Sequence, residues 1–205
     1  MKNIMTGSST LTKANHSRYD VEHAPARTNL SSFYSAVRYK AIDAQYPRFA
    51  CYYECKPGAL ETDEYKRLFT DRSEREANLF DKIQLSRRIY KLLSTHGNAQ
   101  VNKPAKVIVY AAVTPTKGKE EEFNRWYVEE HIPLVQRNNG WIGCRRFEKI
   151  GGDGPTYLVV HEYENSEWQT SPEFRACMEQ AIEFMGKTFD NTAVRERRVL
   201  QRMYD

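Results

Sequence analysis

The chain has no long apolar run. No stretch approaches the ~20 consecutive apolar residues of a membrane-spanning helix, and the opening Met1-Lys-Asn-Ile-Met-Thr-Gly7 lacks the apolar core of a secretion signal. It has little excess of charge: 31 Lys and Arg stand against 27 Asp and Glu, a net of +4. The densest basic clusters, Arg87-Arg88 and Arg195-Glu-Arg-Arg198, are short, and acid dilutes the second. The sequence therefore points to no nucleic-acid partner and no membrane. Cysteine is scarce, and Cys51, Cys55, Cys144 and Cys177 lack the spacing of a metal site. Cys51 and Cys55 fall in a strand-like run that would hold them about 13 Å apart, too far for a disulfide. Free thiols suit a reducing compartment, so a cytoplasmic location is expected. No His-x-x-x-His pair occurs, and the adjacent Glu22-His23 and Glu130-His131 diverge on a helix. No metal and no cofactor is expected.

What the sequence does contain is a motif written twice. Tyr127, Glu130, His131 and Pro133 follow Tyr19, Glu22, His23 and Pro25 at an offset of 108. The same offset links Phe33 with Trp141, Arg38 with Arg146 and Glu54 with Glu162; beyond it, Thr62-Asp-Glu-Tyr-Lys66 matches Ser171-Pro-Glu-Phe-Arg175 at 109. A period this long indicates two fused units, not a solenoid of short repeats.

The second copy reads as follows. Lys106 to Thr114 is β-branched and apolar, a buried strand; a helix runs from about Lys119 toward the stop signal Asn138-Asn-Gly140. Strands follow over Trp141 to Ile150 and Thr156 to Glu164, then a helix capped by Ser171-Pro172 and a strand from Val194 to Tyr204. The unit is β-α-β-β-α-β, so the fold class is α+β: two tandem ferredoxin-like units packed as a single-chain pseudo-dimer. Residues 1–95 form the first, 96–105 a polar linker and 106–205 the second; a further homodimer is compatible with this. At an offset of 108 the first strand of copy one would start before Met1, so that strand is expected to be short or missing, or the native chain to begin upstream.

The run Trp126-Tyr-x-x-Glu-His-x-Pro133, the Arg145-Arg-Phe147 strand segment and Ser171-Pro-Glu-Phe-Arg175 resemble the EthD-like family of the dimeric α/β-barrel superfamily. The duplicated form is similar to the two-copy EthD-domain proteins of fungal polyketide pathways. The resemblance implies decarboxylation, dehydration or cyclisation of small, often aromatic molecules, generally without a metal.

The residues themselves suggest the chemistry. Tyr127 and His131 are four apart and share a helix face, Glu130 reaches the same side, and Pro133 should end the helix near the histidine. An imidazole beside a phenol and a carboxylate suits proton transfer; helix capping explains His131 and His23 equally well. The candidate catalytic residues are His131, Tyr127, Glu130 and His23. Candidate substrate contacts are Trp126, His161, Tyr19, Asp20, Tyr53, Arg146 and Arg38, the two arginines being equally explained by ion pairs with Glu162 and Glu54. A core histidine explains His161 at least as well as a site residue. Copy two, with Trp126 and His161, is favoured as the reactive one. A haem-binding barrel would need an axial histidine in a large cavity; His131 or His161 could serve, but nothing else favours haem.

Three functions follow: a cofactor-independent lyase-type tailoring enzyme acting on a small aromatic substrate by histidine acid–base catalysis, a non-catalytic small-molecule binder or scaffold, and a cofactor-free monooxygenase acting on a polycyclic phenol. The partner in each case is a small molecule.

Overall fold

A computed structural model describes residues 3–9, 24–71, 74, 78, 85–100, 103–190 and 192–204. The chain divides into two compact units: Met1–Leu92 with Lys149–Gly154 and Leu200–Asp205, and Leu93–Glu148 with Pro155–Val199.

In the first unit, β1 (Asn3–Ser9) lies between β3 (Phe49–Cys55) and β4 (Leu85–Gly97), antiparallel to both. β2 (Phe33–Ala41) pairs with β3 on its other side. Two helices are described, α1 (Ala24–Thr28) and α2 (Asp63–Thr70), the second capped by the Thr62 hydroxyl accepting from Tyr65 N–H. Phe33, Tyr53 and Tyr65 form an aromatic core, with the Arg27 guanidinium 5.7 Å from the Tyr53 ring centre and 5.9 Å from that of Tyr65.

The second unit repeats the plan. β5 (Val107–Thr114) is central, with β7 (Tyr157–Tyr163) on one side and β8 (Val194–Arg202) on the other; β6 (Trp141–Gly152) pairs with β7. Each unit therefore has the strand order of a β-α-β-β-α-β fold. The helices are α3 (Glu120–Trp126), a π-helical turn over Tyr127–His131, α4 (Ile132–Val135) and α5 (Pro172–Thr188). Ser171 caps α5 by accepting from Phe174 N–H, as Thr62 caps α2.

The repeat is visible at the level of register. Phe33 pairs with Cys55 and a bulge follows before Ser35; Trp141 pairs with Tyr163 and a bulge follows before Gly143, both at the offset of 108.

Two expectations are corrected. The first strand of copy one is present, Asn3–Ser9. It was misplaced because the spacing changes: Met5 faces Tyr53 where Val109 faces His161, so the strand offset is 104 and the following connection is four residues shorter. The helix also does not stop at His131, as Pro133 suggests, but runs on toward Arg137 and the Asn138-Asn-Gly140 stop. An α-helical Pro133 would lose its bond to the Glu129 carbonyl and press its ring against it. The chain instead takes an i→i+5 turn, Ile132 N–H donating to the Tyr127 carbonyl, and the helix continues to Val135. No described helix is long and apolar enough to cross a membrane.

Candidate active site

The second unit holds a half-open cavity of about 230 Å³ between its sheet and its helices. Strand alternation builds the floor. Val109, Ala111 and Val113 face His161, Val159 and Tyr157 in the β5–β7 register, so these side chains stand on one side of the sheet. The roof is Phe123, Trp126, Tyr127, His131 and Val135 from the helix that carries the π-helical turn, with Phe174, Cys177, Ala181 and Met185 from α5. Arg195, Glu196 and Arg197 of β8 add charge at the rim.

The π-helical turn puts Tyr127 and His131 over this space together, their rings 4.9 Å apart. The Tyr127 hydroxyl lies 2.8 Å from His161 Nε2, and the Trp141 indole N–H donates to His161 Nδ1 at 3.3 Å. His131 stacks on Trp126 at 4.7 Å, and Trp126 stacks in turn on Phe184 at 4.0 Å with the rings nearly parallel. The Cys177 sulfur is 3.9 Å from His131 Nδ1.

Burial sets the protonation states. It lowers His131 to about 4, against a smaller opposing effect from the Gln180 amide. It lowers His161 well below the usual imidazole range, with His131 and nearby arginines adding to the effect. It raises the Tyr127 phenol well above its ordinary value. At neutral pH the pocket therefore holds two neutral imidazoles and a neutral phenol, the forms that a low-dielectric site favours.

Of the sequence candidates, Tyr127, His131, Trp126 and His161 come together around the cavity. Glu130 does not join them. It is exposed, with Oε2 3.5 Å from Gln180 Nε2, because neighbours along a helix project in different directions. Arg146 is buried but does not line the cavity: it donates to Asn124 Oδ1, and its guanidinium lies 5.2 Å from the Tyr127 ring centre. The ion pair foreseen for Arg146 belongs to Arg145, 2.7 Å from Glu162, since successive strand residues point to opposite faces. Tyr53 and Arg38 are buried in the first unit, Tyr53 beneath Arg27. His23, Tyr19 and Asp20 lie outside the described residues.

Sequence reasoning missed Trp141 and Cys177. Trp141 pairs with Tyr163 in the β6–β7 register, so His161 is its diagonal neighbour on the same face, a relation that only the register brings out.

Both ring nitrogens of His161, one of the two histidines a haem could take, are already engaged. The cavity falls below the ~300–1,000 Å³ of pockets that hold drug-sized ligands. Among the described residues no cluster of three or more His, Cys, Asp or Glu could hold a metal ion.

No family model and no curated protein matches the sequence. Solved structures do match in fold. An anthrone oxidase-like protein aligns at 8% identity over 99% of this chain and 91% of its own, with a TM-score of 0.66. A candidate monooxygenase from Fusobacterium nucleatum aligns at 8% identity over 99% and 93%, with a TM-score of 0.62. An EthD-family protein from Bacillus halodurans covers 47% of this chain and 98% of its own at 20% identity; its TM-score of 0.37 is too low to carry structural weight. The likeness is one of fold: the chain has the α+β, ferredoxin-like fold of the dimeric α/β-barrel proteins.

Proposed function

We propose that this protein is an enzyme that takes a proton from a small, enolisable aromatic substrate in the cavity of its second unit, and that the carbanion formed then reacts with oxygen. The observation that carries this reading is the pairing of a neutral His131 with the Tyr127 phenol over a mostly apolar cavity. His131 acts as the base. Tyr127 donates to the substrate oxygen on which negative charge develops, and the edge of Trp126, held between His131 and Phe184, adds to the apolar wall. The substrate's own ring system holds the charge, so the reading needs no bound cofactor. Where the reacting carbon is a methylene, oxygen adds to the carbanion to give a peroxide. His131 returns the proton to the peroxide; the carbon's remaining hydrogen then leaves as a proton while the O–O bond breaks, and it joins the departing hydroxide as water, leaving a ketone. Glu130 and Arg146 act at a distance in this scheme, on Gln180 and on the helix respectively. The names of the two closely aligned structures support oxidation over the elimination implied by the family resemblance.

Lyase chemistry is a second reading, favoured by one feature. Arg195 and Arg197 line the same cavity, so a substrate carboxylate would meet cations at its rim before decarboxylation. Both readings move a proton at His131, from the substrate in oxidation and to the carbanion left by carbon dioxide in decarboxylation. Turnover of an anthrone-type ketone bearing a carboxyl group, under air and under argon, separates them: oxidation stops without oxygen, whereas loss of carbon dioxide continues. The buried thiols of Cys144 and Cys177 suit a reducing compartment, which supports placing this chemistry in the cytoplasm.

A further inference from the structure

His161 has both ring nitrogens engaged, and one of its partners has no choice of role. An indole N–H only donates, so the contact from Trp141 Nε1 to His161 Nδ1 makes Nδ1 the acceptor. Burial keeps the ring neutral, so its single proton sits on Nε2. That proton points at the Tyr127 oxygen 2.8 Å away, and the phenol must accept it. The contact with His161 is then filled by the imidazole's hydrogen, not by the phenol's. The Tyr127 hydroxyl keeps its own hydrogen, and the side chain lines the cavity.

We propose that Trp141 and His161 are positioning residues that lock Tyr127 as a hydrogen-bond donor toward the cavity, selecting a ligand that presents a carbonyl, enolate or phenolate oxygen there. The substrate part of this inference rests on the cavity being the reaction site; the tautomer part does not. Were Trp141 absent, His161 could carry its proton on Nδ1 instead. The phenol would then donate to Nε2 and have no hydrogen left for a ligand. One indole thus sets the polarity of a contact two residues away. The sequence shows neither step, since Trp141, His161 and Tyr127 come from three different elements.

The test uses the full chain labelled with ¹⁵N in histidine. Two-bond proton–nitrogen correlations should show His161 protonated on Nε2 and bare on Nδ1. A Nδ1-protonated ring would overturn the proposal whatever the enzyme does. In Trp141→Phe the two tautomers should mix, and an unchanged, wholly Nε2-protonated His161 would show that Trp141 positions nothing. The second readout is the infrared carbonyl stretch of bound 1-indanone. It should be lowered in the wild type, restored to its unbonded frequency in Tyr127→Phe, and split or weakened in Trp141→Phe. Binding of 1-indanone with an unshifted carbonyl would overturn the donor role. Failure of 1-indanone to bind counts against the substrate reading, while the nitrogen spectra decide the tautomer on their own.

Discussion

The Tyr127 hydroxyl and His161 Nε2 meet at 2.8 Å inside the second unit, with both side chains buried. Removing the hydroxyl leaves a buried N–H without its acceptor, which costs about 1–3 kcal/mol. Tyr127→Phe should therefore lower the free energy of unfolding by that amount while keeping the fold. Urea denaturation followed by circular dichroism measures it. A variant as stable as the wild type would mean that the pair is not formed in solution.

His131 titrates from a folded-state value of about 4 against 6.5 for an ordinary imidazole. Between these values the unfolded chain binds more protons than the folded one, so stability rises with pH across this window. The penalty at the acid end is about 3 kcal/mol. His131→Gln removes this group, so the wild type should lose more stability than the variant when pH falls from about 7 to 5. Parallel losses in denaturant titrations at the two pH values would contradict burial of a neutral ring.

The same low value shapes catalysis. A base that stays neutral down to about pH 4 should place the acid limb of kcat/KM near 4, well below the limb of an exposed histidine. A limb centred on 6.5 would assign the base to another group.

Arg145 holds the Glu162 carboxylate at 2.7 Å, and Glu162 is 1% exposed. Taking one partner from a buried pair costs about 3–5 kcal/mol. Arg145→Met should show this loss in thermal or urea unfolding, whereas Arg146→Met should act mainly through Tyr127, whose ring its guanidinium approaches.

The duplicated plan was legible because caps and strand pairs leave local marks. Thr62 and Ser171 fill the same cap, and β2–β3 and β6–β7 share one register and one bulge at a constant offset. The first strand was hidden by a change of spacing in the connection after it. Tyr127 and His131 share a face in either helical geometry, so their meeting was foreseen; the π-helical turn that keeps the helix intact past Pro133 was not, since it answers a local clash that helix-stop rules treat as an ending. His161 was rated a core residue at least as readily as a site residue. It is both, satisfied by Trp141 and Tyr127 and lining the cavity, and only the cross-strand register joins the three.

Removal of a proton from an enolisable aromatic substrate by His131 is the step that oxidation and elimination have in common. Exchange of the methylene hydrogens of anthrone with D₂O under argon isolates it. The wild type should accelerate this exchange, and His131→Gln should slow it by about 10²–10⁴-fold. Equal exchange rates in the two proteins would contradict the account.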